Sequence, residues 1–214
     1  MKPILLSCLV LALAAPAGAA PLDRDLGLGL LYHRAQAVPA DLPASEPVRQ
    51  HPCVLDVRFA RGNAEAGARL LGWLRLHASA KTPVFLLANA ETSPALLSPL
   101  NSPDSVIGLI IIGPEAPNFT PDLAIKVSAQ ADRRAYDALA SGVPAPSLLV
   151  EKLDKPRLDE EKLAREHLSD SAVRDDDDDP PAAAAPAKSP PQLIDAVLQR
   201  AVQLDRTLLA LKRI

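Results

Sequence analysis

Hydrophobic and polar positions change period several times along the chain, and each change marks an element. From Cys53 to Phe59, Val54, Asp56 and Arg58 alternate with Leu55, Val57 and Phe59, the two-residue period of a strand. Asn63 then predicts an N-cap for a helix to about Ala78, in which Leu70, Leu71, Leu74 and Ala78 share one apolar face. Val84–Ala88 is a short continuous apolar run, as a strand covered on both faces requires. Ser93 followed by Pro94 predicts a helix start, with the serine as cap and the proline at the first helical position. Val106–Ile112 reads as the most hydrophobic strand and Leu123–Val127 as another. Asp132–Ser141 reads as a helix stopped by Gly142, with Pro144 just beyond. A further short charged helix is expected over Arg157–Leu168. Upstream, Leu30–Ala37 is the one strand expected, between the glycines of LGLG and the turn-prone VPADLPASEP. Strands alternating with helices imply an α/β domain with a mainly parallel sheet.

The pattern then breaks. Residues 169–191 hold five consecutive aspartates followed by PPAAAAPAKSPP, a composition that buries too little apolar surface to offset the entropy of ordering. This segment is expected to be a disordered linker. Beyond it, Ile194, Val197, Ala201, Leu204, Leu208 and Leu211 recur three or four residues apart and predict an amphipathic helix over 192–214. Such a face needs a cover. The sequence leaves three open: the helix's own domain, a second copy in a homo-oligomer, or an unknown protein partner's groove.

The N-terminus changes where this domain is expected to work. Lys2, the apolar run Ile4–Ala15 and the small triplet Ala17, Gly18, Ala19 form a secretory signal peptide over residues 1–19. The run is too short to anchor the chain in a membrane. A lipid attachment at Cys8 fits less well, because only three residues separate Lys2 from Leu6. The mature chain, without a transmembrane segment, is therefore expected to be exported, periplasmic or extracellular in a bacterial envelope. It retains only Cys53, which excludes an internal disulfide. The thiol opens an apolar strand and is expected to be buried.

Net charge is −3 and unevenly spread, with twelve acidic against six basic residues from Glu151 to Asp179. With 3% aromatic residues and no basic stripe, nothing predicts nucleic-acid binding. His33, His51, His77 and His167 form no i, i+4 pair, so no metal site is expected, nor any cofactor. The aspartate run lacks the turn glycine and ligand spacing of a calcium loop. Asn118, Phe119 and Thr120 form a glycosylation sequon that matters only in a eukaryotic secretory host. Asp56 and Arg58, on one strand face, are expected to pair structurally.

The order of Asp56-Val57-Arg58 after a strand, a helix, a strand ending in Asn89-Ala90-Glu91-Thr92-Ser93-Pro94-Ala95, and a strand ending in Gly113 resembles the core of the C-terminal-processing, or tail-specific, serine peptidases of the ClpP/crotonase-like fold. The resemblance spans roughly Leu30 to Gly142 and implies a reduced ClpP/crotonase-like core over 20–168. Family members carry D-L-R where Asp56, Val57 and Arg58 stand, and N-x-x-T-A-S-A where residues 89–95 stand. Asn89, Thr92 and Ala95 match, but the nucleophile's position holds Pro94. The family's general-base lysine, in a G-x-x-T-x-G-K setting, has no counterpart after Gly113 before Lys126. A serine needs a base within hydrogen-bond reach to attack at neutral pH, and proline has no atom to activate. The resemblance thus implies a pseudoenzyme, an exported non-catalytic binding or scaffolding protein. The alternative is a serine hydrolase using Ser93 as a displaced nucleophile, a role its capping position opposes.

Overall fold

A computed structural model describes residues 22–44, 50–101, 106–117, 119–150 and 193–214. The expected signal peptide, the charged helix over Arg157–Leu168 and the linker lie outside the described residues. Six strands form one sheet in chain order: β1 (Leu22–Asp25), β2 (Leu31–Arg34), β3 (Cys53–Asp56), β4 (Val84–Leu87), β5 (Leu109–Gly113) and β6 (Leu123–Ala124). β1 runs antiparallel to β2 and every other neighbouring pair is parallel. The helices are α1 (Ala64–His77), α2 (Pro94–Leu97), α3 (Ala129–Ala140) and α4 (Ala196–Ala210), with 3-10 turns at Ser98–Asn101 and Ala145–Leu148.

Strand alternation divides the apolar side chains between two faces. Cys53, Leu55, Val84 and Leu86 pack with Leu70 and Leu74 of α1 and Leu96 of α2. Val54, Phe85, Leu87 and Ile112 pack on the opposite face with Leu139 of α3 and with Val197, Leu198, Ala201 and Val202 of α4. β3 and β4 are buried along their whole length, as strands covered on both sides must be. Gly67 lets α1 approach α2, since a Cβ there would overlap the Ala95 carbonyl oxygen.

The predicted helix over 63–78 is reproduced closely: Asn63 caps α1 through a 2.9 Å bond from the Ala66 N–H to its side chain. Several boundaries move. The strand expected over Leu30–Ala37 is four residues long, the one over Val106–Ile112 begins at Leu109, and Leu123–Val127 contracts to two paired residues. α3 starts three residues before Asp132, because Ser128 caps it by accepting from the Ala131 N–H. β1 is an addition that composition hid, because its LDRD sequence belongs to a charged edge strand whose polar side chains face solvent.

The C-terminal helix is covered by its own chain. Val197 and Ala201 are buried against the sheet and so are unavailable to a partner while α4 is docked, and Leu204 and Leu208 pack beside them half-buried. Ile194 and Leu211 remain exposed, at 38% and 63%. The Gln199 side chain accepts from the Val150 N–H and donates to its carbonyl, at 2.6 and 3.1 Å. The Asp195 N–H donates to the Leu148 carbonyl at 3.0 Å. These bonds hold Leu148 and Val150 beside the start of α4. Among the described residues, no helix is long and apolar enough to cross a membrane.

One residue of α4 sits uneasily in this packing. Asp205 is buried, its Oδ1 has no hydrogen-bond partner, and burial pushes its carboxyl up to about 6 against a partial opposing pull from Arg206. Folded protein thus keeps this proton over the window, from about 4 to about 6, in which the unfolded chain has lost it. The group's contribution to stability is full below that window and is lost as pH rises through it. Two units correspond to up to about 3 kcal/mol. Asp205→Asn is expected to stabilise the protein by about 2 kcal/mol at pH 7.5 and by almost nothing at pH 4, read by urea denaturation at both. Equal effects at the two pH values would remove Asp205 from the titration.

Candidate functional site

The residues that the sequence pattern singled out converge at the carboxyl ends of β3 and β4. Asp56 ends β3 on the face occupied by α3 and α4. Two residues on, Arg58 folds back so that its backbone N–H and Nε both donate to Asp56 Oδ1 at 3.0 Å, and its Nη2 donates to Oδ2 at 2.7 Å. The expected Asp56–Arg58 pair is present, and it is only part of the arrangement. Arg58 Nη1 donates to Asp132 Oδ1 at 2.8 Å and Asp195 Oδ1 at 3.0 Å, while Nη2 reaches Asp195 Oδ2 at 2.8 Å. All five guanidinium N–H groups are engaged, with forked bonds to Asp56 and Asp195.

Arg58 and Asp56 are fully buried, and Asp132 and Asp195 nearly so. Burial alone would lower the arginine's affinity for its proton, but the carboxylates of Asp195 and Asp56 outweigh this and hold it charged, above its ordinary value. Tyr32 donates its hydroxyl to Asp56 Oδ2 at 2.7 Å; burial, then the negative charge of Asp56, raise its pKa well above the usual range. Arg34 gives the node a second positive charge, donating to the Tyr32 hydroxyl and the Tyr136 carbonyl with its guanidinium 3.8 Å above the Tyr136 ring.

Asp132 and Asp195 hold this place because each begins a helix. Asp132 lies in the first turn of α3, and Asp195 caps α4 by accepting from the Leu198 N–H at 3.0 Å. Sequence reading missed both, although a cap preceding an apolar periodicity is the signal that marks Asp195.

Asn89 and Thr92 close the turn after β4. Asn89 Oδ1 accepts from the N–H groups of Glu91 and Thr92, while its Nδ2 donates to Asp132 Oδ2 at 2.8 Å. Thr92 donates its hydroxyl to the Val57 carbonyl and accepts from the Asn89 N–H. Pro94 opens α2 as expected, but Ser93 does not cap it with its side chain: the hydroxyl donates to the Gly62 carbonyl at 2.7 Å. The serine therefore fastens α2 to the loop before α1. A local cap would have used the hydroxyl oxygen as acceptor for the first N–H groups of α2; here the hydroxyl instead donates to a carbonyl 31 residues away.

A cleft of about 160 Å³ opens beyond the ends of β4 and β5. Phe59, Ala90, Pro114, Val127 and Ala129 form its walls; Glu91 and Glu115 line it at exposed positions and Asn89 and Asp132 at buried ones. Phe59 turns the chain here with a left-handed φ of 62°. A smaller cavity of about 80 Å³ lies on the other side of Asn89 and Ala90, lined by Pro94, Leu97 and Phe119. The other candidates are accounted for locally. Cys53 is buried and its thiol is pushed up to about 12 by burial, which keeps it protonated and inert. His33 is bonded to Asp23 and His77 to the Trp73 carbonyl. Among the described residues, no group of three or more His, Cys, Asp or Glu is placed to hold a metal.

Fold and site together define an α/β protein with a mostly parallel six-stranded sheet and a buried ion node at its strand ends. No family model, curated protein or solved structure matches the chain.

Proposed function

We propose that this is an exported, non-catalytic binding protein built on a core related to the tail-specific peptidases, and that it meets its ligand in the cleft beyond β4 and β5. The Ser93–Pro94 corner carries the reading. Pro94 stands where the resemblance puts a nucleophile, and the neighbouring hydroxyl commits its proton to a backbone carbonyl 2.7 Å away instead of to a base. Arg58, Asp56 and Asp195 are likewise engaged in holding the fold together, since each is bonded within the node.

The cleft supports the binding half of the reading. Ligand pockets join apolar walls to a few convergent polar groups, and this cleft, outside the carboxyl ends of β4 and β5, has both. Here the walls are rigidly backed, because Asn89 and Asp132 are bonded to each other and to the node. A hydrolase using Ser93 is the rival class. The mature protein is expected to show no labelling by a fluorophosphonate probe; stoichiometric labelling that Ser93→Ala abolishes would overturn the non-catalytic reading.

A further inference from the structure

Resting on the reading of this cleft as a binding surface, we propose that its ligand is cationic: a primary ammonium on an aliphatic stem, the chemistry of a lysine side chain. Size sets the first constraint. About 160 Å³ holds roughly five waters at about 30 Å³ each, which is also the scale of a lysine stem with its five heavy atoms. Phe59, Pro114 and Val127 supply apolar contact for methylenes, and acidic groups stand both among the exposed lining and at its buried end.

The buried end is a carboxylate that cannot turn away. Asp132 is 3% exposed, and each of its oxygens already accepts one bond, Oδ1 from Arg58 and Oδ2 from Asn89. A carboxylate oxygen accepts more than one hydrogen bond, so both retain acceptor capacity. Every donor on Arg58 is taken, and that guanidinium is shared among three carboxylates, which leaves the node short of positive charge even with Arg34 counted.

Competing positive charge is weaker. The N-terminus of α3 contributes about half a charge, and Asp132 in its first turn already opposes it. Arg133 lies over the Phe59 ring but is bonded to Asp137 at 2.9 Å. Among the lining residues only Glu91, Glu115 and Asp132 carry charge, all of it negative; Arg58 is bonded to Asp132, and the charge of Arg133, over Phe59, is shared between Asp137 and Glu91. An anion entering here meets net repulsion, and an ammonium meets attraction that strengthens as the stem excludes water.

Amide NMR titration of the mature protein tests this with three probes that share one backbone and differ in side-chain charge: Nα-acetyl-lysine methylamide and its norleucine and glutamate counterparts. The lysine probe is expected to shift the amides of Ala90, Glu91 and Glu115 saturably, with the other two at least about tenfold weaker. Glu91→Gln combined with Glu115→Gln, both exposed positions, is expected to weaken lysine-probe binding by about tenfold without altering the spectrum elsewhere. Norleucine or glutamate binding the cleft as well as lysine would overturn the cationic assignment and leave the binding cleft standing. Lysine binding unchanged in the double variant would do the same. If no probe moves any cleft amide, both the assignment and the binding cleft fail.

Discussion

Arg58→Met is expected to abolish cooperative folding at neutral pH. The substitution removes the one guanidinium bonded to Asp56, Asp132 and Asp195 and leaves the three buried carboxylates with Arg34, reached only through the Tyr32 hydroxyl, as counter-charge. Removing one partner of a single buried pair costs about 3–5 kcal/mol, and here three carboxylates lose theirs at once. That loss rivals the whole stability of a typical domain, about 5–15 kcal/mol. Circular dichroism and urea denaturation are the measurements, and a variant with a cooperative transition near that of the parent would show that Arg58 is not what holds these groups in the fold. Arg58→Lys keeps the charge but loses the forked bonds, so it is expected to fold with reduced stability.

Deleting residues 193–214 is the second large effect. It uncovers Val54, Phe85, Leu87 and Ile112 on one face of the sheet and removes Asp195 from the node. Val197, Leu198 and Val202 lose their burial, each worth roughly 1.5–3 kcal/mol. The truncated chain is expected to aggregate or to lose its cooperative transition. Adding a peptide of residues 193–214 in trans is expected to restore a soluble, folded complex, because α4 docks through non-covalent contacts alone. Analytical ultracentrifugation and thermal melts read both results. A truncated protein that stays monomeric with an unchanged transition would mean that α4 contributes nothing to the core and that its apolar face serves a partner.

These two effects show where sequence reading reached its limit. The 63–78 helix was legible because Asn63, Leu70 and Leu74 act over one to three turns, so cap and stripe are written into adjacent residues. The Asp56–Arg58 pair was legible for the same reason, two residues apart on one strand end. Asp195 was not, since it lies 137 residues from Arg58 and no local period joins them. Ser93 misled in a more instructive way. Serine before proline carries a strong local signal for a side-chain cap, but once α1 and α2 have packed the hydroxyl turns to donate to the Gly62 carbonyl and its oxygen accepts nothing from the N–H groups of α2.

By itself the sequence determined the alternation of strands and helices, the mainly parallel sheet, the burial of Cys53, the proline at the start of α2 and the amphipathic character of the last helix. All of these follow from short-range periodicity and from the conformational limits of single residues. Only tertiary structure decided that the last helix lies on its own domain, that one arginine gathers three aspartates from β3, α3 and the start of α4, and that a cleft with an acidic lining opens beside them. Each of those requires segments far apart in the chain to meet, and what fixes the meeting is the joint burial of apolar faces and of opposite charges that neither segment can satisfy alone.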